Sequence, residues 1–104
     1  MTFVLDGISE ISRPIETTLV VESELDCACA EAVADQVRQS LNDGSDMVMV
    51  DLITARDVSL FGLAVLIYRI SMEGNLRRVI FRSLDQQVNQ QLAIFSCTRI
   101  GLQS

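Results

Sequence analysis

Asp51-Leu-Ile-Thr-Ala-Arg-Asp-Val-Ser-Leu-Phe-Gly-Leu-Ala-Val-Leu66 joins a strand to an apolar helix through one short polar loop. Met47 to Leu52 is a mostly apolar run without alternation, the pattern of a strand covered on both faces. From Leu60 to Ile70 the chain is apolar nearly all round, which predicts a helix wedged inside a small domain. Thr54, Arg56, Asp57 and Ser59 lie between them, where a parallel strand hands over to a helix start, and ligands and partners favour that end of an open sheet.

Working outward, Thr2 to Glu10 and Thr17 to Glu22 read as two strands joined by a turn around Arg13-Pro14. Ala30, Val33, Ala34, Val37 and Leu41 then recur at helical spacing, with Glu31, Asp35, Arg38 and Gln39 on the other side and Asn42-Asp43-Gly44 as the stop. Beyond the second helix, Glu73-Gly74-Asn75 is a terminator and Arg78 to Arg82 a further strand. A last helix starts near Asp85, with Val88, Leu92 and Phe95 facing inward and Gln86, Gln87, Asn89 and Gln90 facing water. The fold class is α/β: a small mixed β-sheet with an N-terminal strand pair and helices covering the sheet, joined by right-handed crossovers.

All 104 residues are expected to form one domain, and 49% hydrophobic content suffices for one core. A net charge of -6, with no lysine, repels a phosphate backbone and argues against nucleic acid. The lack of histidine removes the commonest acid–base group and metal ligand, so no metal or cofactor is expected. No apolar run reaches the roughly 18 residues of a membrane span, and the first residues lack a basic region ahead of an apolar one. A cytoplasmic protein without membrane insertion is expected. Cys27, Cys29 and Cys97 are odd in number, and Cys-Ala-Cys lacks the two-residue spacer of redox and zinc pairs. They are read as reduced, small and mostly buried.

Glu22-Ser-Glu-Leu-Asp26 before a helix, Val48-Met-Val-Asp-Leu52, Ser59-Leu-Phe-Gly-Leu-Ala-Val-Leu66 and Glu73-Gly74, in this order, resemble the STAS domain of anti-sigma-factor antagonists and sulfate transporters. The resemblance runs over almost the whole chain, with Leu92 to Ile100 similar to the family's last helix and its exit. It implies a non-catalytic switch in which a partner kinase phosphorylates a serine or threonine at the start of the second helix. The family's Asp-Ser-Ser-Gly or Asp-Thr-Ser-Gly falls on Ser59-Leu60-Phe61-Gly62, so Leu60, which cannot carry phosphate, stands at the acceptor position.

Each residue of this region also has a plain structural role open to it. Ser59 is either a helix cap or an acceptor moved by one position. Leu60 and Phe61 either dock a partner or fill the core. Asp26 and Asp51 match acidic positions that flank the family's switch loop, and Asp26 equally caps a helix. Asp51 fixes the loop by accepting backbone hydrogen bonds. Arg56 and Asp57 form a solvated loop pair or touch a partner. Gly62 either lets another backbone approach closely or is merely tolerated.

The expected function is a protein–protein interaction module, anti-sigma-factor-antagonist-like, in a bacterial partner-switching pathway of signalling and transcription regulation. Its docking surface comprises Asp26, Cys27, Arg56, Asp57, Ser59, Leu60, Phe61 and Gly62. The partner is an anti-sigma-type kinase; the alternative is an accessory STAS subunit of a phospholipid-type ABC transport complex, with the transporter ATPase as partner. Self-association is left open. An enzyme is not expected, since no nucleophile has a visible base beside it.

Overall fold

The computed structural model describes residues 2–5, 8–12, 16–95 and 97–101. In chain order the elements are β1 (Thr2–Leu5), β2 (Ile8–Ser12), β3 (Glu16–Val21), β4 (Glu24–Leu25), α1 (Cys27–Asn42), β5 (Met47–Asp51), β6 (Asp57–Val58), α2 (Leu60–Met72), a short 3-10 turn (Leu76–Arg78), β7 (Val79–Ser83), α3 (Gln86–Ile94) and β8 (Thr98–Gly101). The main sheet has the order β1-β2-β3-β5-β7-β8, antiparallel from β1 to β3 and parallel from there on. β4 and β6 pair separately, parallel to each other.

β3, β5, β7 and β8 advance one place at a time in one direction across the sheet. Right-handed crossovers therefore put all three helices on the same face. Burial follows this layering. Leu19, Val21, Val48, Val50, Val79 and Phe81 are buried towards the helices, where they meet Val33, Val37, Leu63, Leu66, Ile70, Val88 and Leu92 in one core. The alternate residues Thr18, Met49 and Ile80, side by side in register, are half-buried on the opposite face.

That layering corrects the reading of Met47 to Leu52. Val48 and Val50 are buried, but Met47 and Met49 point to the face without helices, so β5 is covered on one side rather than two. Its two methionines made an alternating strand look uniformly apolar. The N-terminal strand pair is also corrected. Thr2 to Glu10 is not one strand: β1 and β2 are separate strands paired antiparallel, with Leu5 opposite Ile8. The turn expected at Arg13-Pro14 lies outside the described residues.

The first helix matches its expected pattern. All five inward positions, from Ala30 to Leu41, are buried, and Gly44 follows the C-cap with φ +114, a conformation suited to glycine. Gly74, with φ +74, does the same after α2. On α3, Val88 and Leu92 are buried as expected, whereas Phe95 is the C-cap residue and is 42% exposed. The helix stops at Ile94, before Phe95 can complete the inward stripe. Asn89 does not simply face water, since its amide donates to the Ser83 carbonyl at 3.1 Å.

The core makes one direct prediction. Leu66, fully buried on α2, has no room to be replaced by solvent. Leu66→Ala is expected to lower unfolding free energy by about 2–5 kcal/mol in urea titrations, from lost burial and the remaining cavity.

Candidate functional site

Because β3, β5 and β7 are parallel, the chain leaves each of them at the same end of the sheet and starts its next helix there. Three helix N-termini thus gather at that end, each closed by its own side chain. The Asp26 carboxylate accepts from the N–H of Cys29 at 2.8 Å, the Ser59 hydroxyl from the N–H of Gly62 at 3.1 Å, and the Asp85 carboxylate from Gln87 and Val88 at 2.8 and 3.2 Å. Asp26 and Ser59 therefore each have a capping role, whatever else they do.

The loop from Leu52 to Val58 is stitched to the segment that precedes α1. The Thr54 hydroxyl donates to the Val21 carbonyl at 3.4 Å and the Arg56 N–H to the Ser23 carbonyl at 3.2 Å. β6 then pairs with β4, aligning Glu24 with Asp57 and Leu25 with Val58. Finally the Ser59 N–H donates to the Leu25 carbonyl at 3.0 Å. At its other end Asp51 accepts from the Ile53 N–H at 2.9 Å and sits 3.6 Å from the Arg82 guanidinium. Asp51 holds the loop through the backbone, as the sequence suggested.

Gly62 completes this stitching. A Cβ there would lie 2.6 Å from the Leu25 carbonyl oxygen and 2.9 Å from the Asp26 carbonyl carbon. The close approach expected of this glycine is thus made by main chain, which cannot rotate aside as a side chain can.

Leu60 and Phe61 do not fill the core. Leu60 is 42% and Phe61 72% exposed at the first two positions of α2, the inward directions being taken by Gly62, Leu63 and Leu66. Nor is α2 wedged inside the domain. Sheet and α1 cover one side of it, while Tyr68 and Met72 also stand exposed on its outer side. An all-apolar helix had implied complete burial, but a two-layer fold has no third layer to supply it.

Arg56 and Asp57 are both exposed, and the Asp57 carboxylate turns to the N–H of Val58 at 2.9 Å rather than to Arg56. They are therefore no ion pair. Arg56 stands between two shallow clefts of about 340 and 310 Å³, one bordered by Glu24, Asp26 and Cys29, the other by Val58, Ser83 and Asp85. Cys27 and Cys29 are half-buried and Cys97 is buried, none of them in a disulfide. Among the described residues no cluster of three or more ligating side chains is placed to hold a metal ion. The pairing of Leu25 with Val58 and the Arg82 contact with Asp51 were missed in the sequence. Leu25, a lone apolar residue between Glu24 and Asp26, is the pairing's one visible trace.

The fold around this site matches a known one. The chain is similar in structure to the anti-sigma factor antagonist SpoIIAA in its unphosphorylated form, with a TM-score of 0.67 over 93% of this chain and 89% of that one. The fold is that of a STAS domain. Sequence identity over the match is 11%, so the likeness is one of fold. No family model matches the sequence, and no curated protein does. Among the described residues no helix is long and apolar enough to cross a membrane.

Gly62 provides a test of sign. Helix propensity alone favours alanine over glycine by about 1 kcal/mol. The main-chain contact opposes this, and Gly62→Ala is expected to destabilise the protein by about 1–3 kcal/mol in denaturant titrations. A stabilised variant would mean that the α2 start is free to move away from Leu25.

Proposed function

We propose that this chain is a non-catalytic docking module of the anti-sigma-factor-antagonist type, acting in a partner-switching pathway without phosphate at the usual switch position. The observation that carries this reading is the start of α2. Two large apolar side chains stand exposed there on a helix whose position is fixed by main-chain contact at Gly62. Burying such groups against a partner contributes about 1.5–3 kcal/mol each before the costs of association. The surface extends over Asp26, Cys27, Arg56, Asp57, Ser59, Leu60, Phe61 and Gly62, and its partner is a protein, with an anti-sigma-type kinase as the first candidate.

Position 60 carries no hydroxyl, and the Ser59 hydroxyl accepts a backbone hydrogen bond as the helix cap. A phosphate on Ser59 would have to replace that cap. The same phosphate-free surface suits a second reading, an accessory subunit docked on the ATPase of a phospholipid-type ABC transporter. The identity of the captured protein separates the two readings.

Leu60→Asp tests the surface directly. A carboxylate at a helix start is favoured by the free N–H groups, so folding should change by only about 1 kcal/mol or less. An apolar interface would have to desolvate that carboxylate without a counter-charge, which costs several kcal/mol, or about 2–7 for an uncompensated polar group. Affinity capture with the wild type and Leu60→Asp in parallel, followed by calorimetry with the retained protein, is expected to show binding only to the wild type. Equal binding by a well-folded Leu60→Asp would place the docking surface elsewhere.

Mass spectrometry of the protein from its native cells is expected to find Ser59 and Thr54 unmodified. Stoichiometric phosphate on Ser59 would overturn the phosphate-independent reading, the acceptor having moved by one residue.

A further inference from the structure

The end of the sheet that presents Leu60 and Phe61 is also where negative charge collects. Glu22, Glu24, Asp26, Asp57 and Asp85 are all exposed there, against one exposed arginine, Arg56. Asp51, a further carboxylate of this end, is half-buried beside Arg82. Five exposed carboxylates against one arginine give this end a net charge of -4, where the whole chain carries -6. The three helix N-termini offset about half a charge each, which leaves the end negative. At the opposite end the signs are mixed, since Arg77 and Arg78 precede β7 and Arg78 donates to the main-chain carbonyls of Ser45 and Asp46.

Elsewhere the fold neutralises its own carboxylates: between α1 and α2, Arg38 and Arg69 engage Glu31, Asp35 and Glu73. Among the described residues no arginine is paired in this way with Glu24, Asp26, Asp57 or Asp85. Asp26, Asp57 and Asp85 accept backbone N–H groups instead, each within its own turn, so the three are pinned apart and do not converge on a metal ion. The carboxylates adjoin apolar surface. Leu84, 54% exposed in the turn between β7 and α3, borders one cleft together with Val58, and Leu60 and Phe61 stand exposed just beyond Val58. An apolar centre with a polar rim is the layout of a protein–protein interface.

From this charge distribution we infer that the docking surface takes a basic face of another protein, one whose arginines or lysines surround an apolar hollow for Leu60, Phe61 and Leu84. The inference rests on the proposed function for the place of docking and adds the chemistry of the partner. Interfaces bring potentials of opposite sign together, and like charges set against each other cost binding. Nucleic acid, an anionic lipid surface and a second copy of this chain are all repelled by the rim. A basic face is drawn to it, and attraction of this kind speeds encounter by roughly 10- to 1,000-fold. The partner's cations belong to the rim, so a carboxylate placed at position 60, in the apolar centre, still meets no counter-charge.

Two synthetic helical peptides serve as probes, each with a leucine stripe, flanked by arginines in one and by glutamates in the other. Each is titrated into the full chain and followed by calorimetry and by backbone amide NMR shifts. The arginine peptide alone is expected to bind, shifting amides from Val58 to Gly62 and around Leu84. Raising salt from about 20 mM to about 500 mM should weaken it on the order of tenfold. Asp57→Asn with Asp85→Asn, which keeps both cap acceptors, should weaken it on the order of tenfold as well, whereas Asp43→Asn with Asp46→Asn, the same charge removed at the opposite end, should change it less than about twofold. Phe61→Ser, at an exposed position, should also weaken it on the order of tenfold. Binding of the glutamate peptide at the same amides would leave the docking site in place and overturn the basic partner. Shifts from neither peptide at these amides would overturn the docking site together with the inference. Binding as sensitive to the Asp43 and Asp46 pair as to the Asp57 and Asp85 pair, or indifferent to Phe61→Ser, would be attraction to net charge alone and would also overturn it.

Discussion

The site depends on one contact, the main chain of Leu25 and Asp26 lying against the bare Cα of Gly62. It brings the starts of α1 and α2 closer than any side chain would permit. The short pairing of β4 with β6, the bond from the Ser59 N–H to the Leu25 carbonyl and the two helix caps all lie within a few residues of it. The connection between β5 and α2, which in isolation would be an exposed and mobile loop, becomes a braced ledge. On that ledge Leu60 and Phe61 can be exposed without being floppy. Rigid presentation matters because an ordered apolar side chain loses less freedom when a partner covers it.

A second constraint comes from the layering. With every described helix on one side of the sheet, α2 has the sheet beneath it and α1 and α3 beside it, and nothing among the described residues covers its outer side. The ion pairs linking α1 to α2, from Arg69 to Glu31 and Asp35 and from Arg38 to Glu73, are largely exposed and contribute little to stability. They do fix the distribution of charge. By engaging Arg69 laterally they leave the outer side of the helix apolar along its whole length.

Much of this was legible in the sequence, and the failures have physical causes. α1 was readable because its buried and solvated sides differ in chemistry, so Ala30 to Leu41 announce their own direction. Capping by Asp26, Ser59 and Asp85 was readable for the same local reason. α2 was legible as a helix but not in its exposure, since a helix apolar on every side gives no sign of which side faces water. Met47 and Met49 misled in the same way on β5. β4 and β6 were illegible because two-residue strands have no periodicity, and their pairing joins residues more than thirty positions apart in the chain. Asp26, Cys27, Arg56, Asp57, Ser59, Leu60, Phe61 and Gly62, the residues proposed for docking, lie at one end of the sheet, though Arg56 and Asp57 do not pair with each other.

The Gly62 contact also shapes which changes the chain can accept over evolutionary time. Most core substitutions can be offset by a neighbour that shrinks or grows to restore the volume. Here the neighbouring atoms are a carbonyl oxygen and a carbonyl carbon, present whatever residue stands at positions 25 and 26. Suppressors of a substitution at Gly62 should therefore not arise among the side chains around it. They would have to displace the backbone of an entire loop, and with it the ledge, so position 62 can drift only together with the way this end of the molecule is built.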